Sequence, residues 1–549
     1  MNSTSATASE SAPSRGPWKP VLLAALIASA PFAYCVWYFN WVCDDAFISF
    51  RYARNFAQGL GLRFNPETVP PVEGYTNFLW VLLMSVVERA HLDPVIWSRV
   101  LSITSAVCLM IWVTRFVQRV IDSNLAVLAA VSLFGVCLPS LGVWSTSGLA
   151  VMPMTLCLFG VYDSLLRDGE RPKGIQAGVL AALAALMRAD AIVYLAIILG
   201  LAFMTALLER RKQLARTAFM ASCILGVCVA AHFAWRYSYY GDWLPNTARV
   251  KALGGDATMR SVRLERGIAY VATNFMTISS LILVPLASLV LIRTPDVRRS
   301  VMHGLLFLLG ASAYAAVAGG DFMAFGRFLV PAVPFVLLLF ASLASRLRVR
   351  SGTVQLGFLT AGCITLSLLP VFDLYVFPQA AFDRCHFRWN RNVATRQSEI
   401  QRWKNMVQNT QSWAMTGKIL KLIGKDGDSI VHGSMGAIAY YSELYMYDTF
   451  GLTNLHWRKV DPPFERKSPG HDREMRPADF LEFEPTFLGF TRFVDEGAGP
   501  YEAFGGEADW KRRYPQRAAI SKPEIHSLPP GFGFPEGRSI CVLRFIAPD

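Results

Sequence analysis

The chain alternates between apolar runs of about twenty residues and short charged turns, the length that crosses a bilayer core. The first run is Val21 to Tyr38. Others fall at 97–114, 124–142, 148–165, 173–187, 190–208, 215–233, 272–292, 302–318, 328–344 and 354–372. One shorter run, Phe78 to Val87, ends in Glu88-Arg89 and is expected to lie as a helix in the membrane interface. Ala28-Ser29-Ala30 imitates a signal-peptidase site, yet hydrophobicity continues past it, so an uncleaved signal anchor is expected.

The turns divide into two kinds. Arg115–Arg119, Arg167–Lys173, Glu209–Lys212, Arg293–Arg299 and Arg346–Arg350 are plain basic turns, and about eleven spans place all of them inside. The alternate connections then face outward: Ser145–Leu149, Arg188-Ala189-Asp190, a long 236–269 segment and Gly319–Phe328. From Asp373 the chain turns polar, with a helix predicted over Ser398–Met415 and a turn and helix over Gly433–Tyr441. Strands are predicted at Ser429–His432, Tyr445–Asp448, Thr486–Phe490 and Ser539–Phe545, and surface loops at Pro462–Pro469 and Gly531–Pro535. The expected organisation is a cytoplasmic tail (1–19), a mainly helical membrane domain (20–372) with a large first external loop (39–96), and an extracytoplasmic α/β domain (373–549).

Composition agrees. Of 549 residues, 53% are hydrophobic and 17% charged, which is the profile of a polytopic membrane protein. The formal charge of +13 sits largely in turns, where orientation signals belong, so no nucleic-acid partner is expected. Most cysteines lie in apolar runs; Cys385 and Cys541 lie in the polar region, where a disulfide between them is available. There is no CxxC, Walker loop or GxGxxG, and His432-Gly433-Ser434-Met435-Gly436 lacks the first glycine of a hydrolase elbow.

Candidate chemistry gathers on the outward side. Asp44 and Asp45 follow the first span and open a helix on which Ile48, Tyr52 and Phe56 share a face. Adjacent side chains diverge by about 100° on a helix. One aspartate is therefore expected to cap the helix and the other to take a proton from an attacking hydroxyl, with Asp44 preferred as the catalytic group. Arg188 is either a snorkelling partner of Asp190 or a phosphate ligand, and Arg327 poses the same choice with Asp321. Asp321 is a second acid, a metal ligand or the partner of Arg327, the last being preferred. Arg236 and Lys251 flank Pro245-Asn246-Thr247 as weaker phosphate candidates. Glu73, beside Tyr75, is either a solvated loop acid or a grip on an acceptor sugar; His471 reads as a surface histidine.

The ordered set Asp44-Asp45-Ala46-Phe47-Ile48-Ser49, Arg51-Tyr52-Ala53-Arg54-Asn55, Glu73-Gly74-Tyr75-Thr76-Asn77, Tyr239-Tyr240-Gly241, Leu244-Pro245-Asn246-Thr247, Lys251, Gly319-Gly320-Asp321-Phe322 and Arg327-Phe328 resembles a family. The polar region adds Gly436–Ser442, Asp448, Gly451-Leu452-Thr453 and Gly470-His471. The chain is similar to the terminal β-(1→2)-arabinofuranosyltransferases of mycobacterial cell walls and their bacterial relatives, polytopic glycosyltransferases of the GT-C type. That resemblance implies a GT-C fold in the cytoplasmic (inner) membrane, with the site and the α/β domain outside. It implies a polyprenyl-phosphate sugar donor such as decaprenyl-phospho-arabinofuranose and a glycan acceptor. No cofactor is required by it, though a divalent metal is compatible. It assigns an acid of the first loop, Asp44 or Asp45, to catalysis and Arg188 and Arg327 to the donor phosphate, and gives weight to His471; with His471, the residues Glu73, Tyr75, Asn246 and Asp321 are the candidate acceptor or sugar contacts. Two positions depart: Ala150 replaces an expected acid, and Arg188-Ala189-Asp190 replaces Arg-Pro-Asp. Alternatives are transfer of another polyprenyl-linked sugar to a protein or surface glycan, or a non-catalytic transporter or assembly protein.

Overall fold

A computed structural model of the chain describes residues 17–166, 172–251, 257–388, 397–528 and 537–546. Most of the N-terminal tail, most of the basic turn after Leu166, and the loop Gly531–Pro535 lie outside the described residues.

The first apolar helix is α1 (Lys19–Tyr38), and the segment that follows it carries α2 (Asp44–Ala57) and α3 (Phe78–Arg89). The apolar helices continue as α4 (Pro94–Val120), α5 (Leu125–Val136), α6 (Pro139–Thr146) and α7 (Val151–Leu166). Then come α8 (Gly174–Met187), α9 (Ala191–Leu208) and α10 (Lys212–Tyr240). A short α11 (Asn246–Lys251) and α12 (Ala257–Thr277) lead to α13 (Ser280–Ser288), α14 (Pro295–Ala318), α15 (Val333–Ser351) and α16 (Thr353–Leu368). Among the described residues, seven helical stretches are long and apolar enough to cross a membrane, or nine when two bent pairs each count as one span. The bends are 59° between α5 and α6 and 89° between α12 and α13. With the shorter apolar α7 and α8, these segments coincide in position with the eleven runs read from the sequence.

Four of the plain basic turns gather at one end of the bundle. Arg299 pairs with Glu209 at 2.7 Å, Arg346 with Asp296 at 2.6 Å and Arg348 with Asp122 at 3.5 Å. These contacts join turns far apart in sequence, as a shared membrane face requires.

The polar region holds α17 (Gln379–Arg384), α18 (Glu399–Ile423), β1 (Ser429–His432), α19 (Gly436–Ser442), β2 (Tyr445–Asp448), β3 (Phe487–Asp495), β4 (Ser521–Ser527) and β5 (Arg538–Phe545). The strand order is β2-β1-β3-β5-β4. β1 is parallel to both neighbours, whereas β5 is antiparallel to β3 and β4. A contiguous apolar core runs from α1 through the bundle into α18, α19 and the sheet, taking in Val21, Phe340, Ile438 and Val542. A second, local core around Phe480, Trp510 and Leu543 belongs to this region alone.

Several expectations need correction. β4 reads Ser-Lys-Pro-Glu-Ile-His-Ser, too polar to stand out as a strand; it survives at the sheet edge, where a proline is tolerated. The 236–269 stretch is mostly helix, because α10 runs on through Arg236 to Tyr240 and α12 begins at Ala257. Cys385 and Cys541 are free thiols, Cys541 being buried in β5, so they form no disulfide. Neither Asp44 nor Asp45 caps α2, whose N-cap is Cys43.

Candidate active site

α2 is fixed from both sides. Its first turn hangs from the bundle through the Cys43 N–H, which donates to the Ser147 carbonyl at 3.0 Å. The Asp44 carboxylate faces the polar region instead, accepting the backbone N–H groups of Gly436 at 3.1 Å and Ala437 at 2.7 Å. A Cβ at Gly436 would stand 2.0 Å from the Asp44 carbonyl oxygen, so only glycine permits this approach. Two helical turns on, Arg51 donates to the carbonyls of Ala439 in α19 and Leu444 just after it, and to that of Phe64 in its own loop. Asp44 and Arg51 therefore clamp α2 onto α19. Burial pushes the Asp44 carboxyl up to about 7, against the pull of its two N–H donors.

Asp45 points elsewhere. Its carboxylate is 31% exposed and lies 3.8 Å from Nη1 of Arg327. The Nε side of the same guanidinium lies 2.8 Å from Asp321, which is almost fully buried. Arg327 thus stands between two carboxylates. The loop carrying it, Gly319–Phe328, is held from both directions. Trp144 of α6 donates to the Phe325 carbonyl at 3.1 Å, and the Phe325 N–H donates to buried Glu399 of α18 at 2.7 Å. Glu399 is neutralised by Arg388 at 2.6 Å. Gly326 sits at φ +64°, a left-handed conformation that glycine adopts without strain.

Beside this loop opens a cavity of about 220 Å³. Its walls bring five arginines (Arg249, Arg263, Arg266, Arg327 and Arg473) against two aspartates, Asp321 and Asp472. Arg266 is 2% exposed, and its Nη1 donates to both oxygens of Asp472 at 2.8 and 2.7 Å. Its Nε and Nη2 are buried without a hydrogen-bond partner among the described residues. Arg266 does not stand out in the sequence, where 236–269 is visible only as a long connection between apolar runs. The signal was present: Arg260, Arg263 and Arg266 recur every three residues, the spacing of one helix face.

Arg188 and Asp190 form a bidentate pair at 2.9 and 2.7 Å. Burial alone would lower the Arg188 pKa, but Asp190 more than reverses this and raises it. The Ala189 N–H donates to the Thr76 carbonyl at 3.0 Å, which seats this turn against the segment between α2 and α3. Arg188 does not line the arginine cavity, although its charge is close enough to be felt at Arg327.

The remaining candidates form a second cluster that works as a joint. Glu73 and Arg236 pair at 2.6 Å with side chains 2% and 5% exposed. Burial lifts the Glu73 carboxyl to about 7 in spite of its arginine. Asn246 donates to the carbonyls of Gly451, Leu452 and Asn454 and accepts from Trp457, which commits both of its amide hydrogens to the protein. Tyr75 shares a 3.1 Å hydrogen bond with Tyr240. Lys251 ends α11, and its side chain lies outside the described residues. His471 is no free surface histidine: its ring stands edge-on between Phe322 and Phe450, 4.8 Å from each. Its neighbours Gly470 and Asp472 line the arginine cavity. Among the described residues no group of three or more His, Cys, Asp or Glu side chains is arranged to hold a metal ion.

No family model matches the chain. A curated relative, a terminal beta-(1->2)-arabinofuranosyltransferase of Mycobacterium tuberculosis, is 26% identical over 348 residues, covering 56% of this chain and 52% of that protein. The match therefore spans about half the length of the relative. Among solved structures, ArnT from Cupriavidus metallidurans bound to undecaprenyl phosphate superposes with a TM-score of 0.52 at 10% identity, over 95% of this chain and 97% of that one. At that identity the likeness is one of fold: a multi-pass helical membrane protein of GT-C architecture.

Proposed function

We propose that this protein is a membrane glycosyltransferase that moves a sugar, arabinofuranose, from a polyprenyl phosphate to a glycan outside the cytoplasm. The observation that carries the reading is the arginine-walled cavity at the outer ends of α12 and α14, with Arg327 reaching from it to Asp45. Guanidinium groups suit a phosphate, and Arg266 keeps two buried donors unused for one. The mycobacterial relative supplies the sugar, and ArnT, crystallised with undecaprenyl phosphate, supports a lipid carrier.

In this reading the bond between the sugar anomeric carbon and the phosphate oxygen breaks, and the acceptor hydroxyl oxygen bonds to that carbon. Its proton passes to Asp45 and from there to water. Asp45 fits better than Asp44 because it is open to a substrate, whereas both Asp44 oxygens are occupied by backbone N–H groups. Arg327 and Arg266 stabilise the departing phosphate, a contribution largest where charge develops in a dry cavity. Asp321 orients Arg327. The plain basic turns gathered at the far end of the bundle support a cytoplasmic position for that end, and an extracytoplasmic one for the site and residues 373–549 in the inner membrane.

The test is sugar transfer by purified protein from labelled decaprenyl-phospho-arabinofuranose to a panel of glycans in detergent. Asp45→Asn is expected to lower turnover by about 10²–10⁴-fold with donor binding intact. Asp44→Asn is expected to lower stability more than turnover. Equal turnover in wild type and Asp45→Asn removes the acid from the mechanism. No consumption of donor by detergent-solubilised wild type refutes the enzyme and favours a transporter, which needs a sealed membrane.

A further inference from the structure

A larger cavity, of about 660 Å³, lies in the carboxyl-terminal α/β region, apart from the arginine cavity. It opens at the carboxyl end of β1, where Val431, His432, Gly433 and Ser434 form its floor together with Leu488 and Gly489 of β3. The chain leaves β1 through α19 towards β2, whereas β3 lies on the opposite side of β1 and leads on to the antiparallel half of the sheet. The cavity thus sits where the direction of winding reverses, the crevice in which open α/β sheets hold ligands.

Its chemistry is mixed in a particular way. The Ser434 N–H donates to Nδ1 of His432 at 2.7 Å, which leaves the ring proton on Nε2, where no protein group among the described residues meets it. Burial holds the imidazole down to about 4, so His432 acts as a neutral donor at ordinary pH. The ring lies against bare backbone: a Cβ at Gly489 would stand 1.8 Å from its Cδ2. Across the opening stand Gln516 and Arg517, and the Arg517 guanidinium has no ion pair among the described residues. Glu474, held by Lys467 at 3.0 Å, supplies acceptors, and the Phe450 ring supplies an apolar face. Donors and acceptors over an aromatic face suit a polyhydroxylated ligand, whose every hydroxyl both gives and takes a hydrogen bond.

The position of Phe450 connects this cavity to the reaction site. Its ring packs edge-on against His471 at 4.8 Å, and His471 packs equally against Phe322, which lines the arginine cavity. One stack of three rings separates the two cavities.

We propose that the cleft at the end of β1 is a second carbohydrate subsite, holding a stretch of the acceptor glycan remote from the sugar being transferred. This rests on the glycosyltransferase reading above. It assigns His432, Gln516 and Arg517 to acceptor recognition and gives the His471 stack the role of the wall over which the glycan passes.

The experiment uses the full chain in detergent and a short arabinofuranose oligosaccharide as probe, with a maltooligosaccharide and inorganic phosphate as controls. Calorimetric binding and transfer kinetics are measured for wild type, Gln516→Ala/Arg517→Ala and His432→Phe. The double variant changes exposed residues only, and its unfolding temperature checks that it folds. The expected result is a rise of about tenfold in both the Kd and the KM for the oligosaccharide, without change in the KM for donor. Unchanged oligosaccharide Kd and KM in the variants overturn the subsite. Binding of phosphate in place of oligosaccharide, lost in the double variant, overturns it in favour of an anion site. Failure of the enzymatic reading is distinguishable: wild type then consumes no donor, while oligosaccharide binding still reports on the cleft.

Discussion

Two neighbouring aspartates show how far one residue's direction decides its role. Asp44 and Asp45 have the same chemistry, yet one faces α19 and the other Arg327. The pH dependence follows from Asp44. Its carboxyl is raised from the ordinary 3.8 to about 7 on folding, so the folded state holds a proton that the unfolded chain has released. That contribution to stability is complete below pH 4 and is lost as pH rises through about 7. The unfolding temperature of the detergent-solubilised protein is therefore expected to fall over this interval by more in wild type than in Asp44→Asn. Parallel pH profiles for the two proteins would show that Asp44 does not carry the effect. Glu73 titrates over the same interval, so the difference between the two profiles, and not the wild-type slope alone, is the informative quantity.

At the level of elements, the loop between α14 and α15 sets the geometry of the site. It joins Asp321 to Arg327, is pinned by Trp144 and Glu399, and turns at Gly326. A Cβ at Gly326 would stand 2.5 Å from Oδ1 of Asn274, in addition to the unfavourable left-handed backbone. Gly326→Ala is expected to cost about 1–2 kcal/mol from conformation alone and to displace the adjacent guanidinium. Turnover should fall at least tenfold, since about 1 Å of misplacement at a reacting centre is worth more than that. Steady-state kinetics beside thermal unfolding checks this; a variant with full turnover would show that Arg327 does not depend on the turn.

For the whole molecule, the membrane bundle and the polar region behave as one packed body, because buried polar contacts fasten them as well as a shared apolar core. Glu73–Arg236 locks the segment between α2 and α3 to α10, and Asn246 locks the start of α11 to the loop after β2. Removing one member of a buried pair strands the other. Glu73→Ala is expected to destabilise the protein by about 3–5 kcal/mol, and Glu73→Leu combined with Arg236→Met to recover most of that loss. Unfolding in detergent distinguishes the two, and a double variant as unstable as the single one would show that the pair does more than satisfy itself. Such struts explain why motif residues that look catalytic in the sequence need not touch a substrate.

Much of this protein was legible along the chain. Bilayer-spanning helices are read from local hydropathy, and every backbone polar group in them must be satisfied within the segment, so the apolar runs coincide with the observed helices. β1 and β2 were legible for a similar reason, as short apolar strands bounded by turns. The pairing of Arg327 with Asp321 followed from their place in one short loop. What required the fold was every contact between residues distant in sequence. Nothing near Asp44 announces that its partners are Gly436 and Ala437, nothing near Glu73 announces Arg236, and the arginines of α12 acquire meaning only once Asp472 closes on them. Local sequence determines which segments cross the membrane because transfer into it is summed residue by residue. Which acid is free to meet a substrate depends on where the other end of the chain comes to rest, and only the tertiary structure decides that.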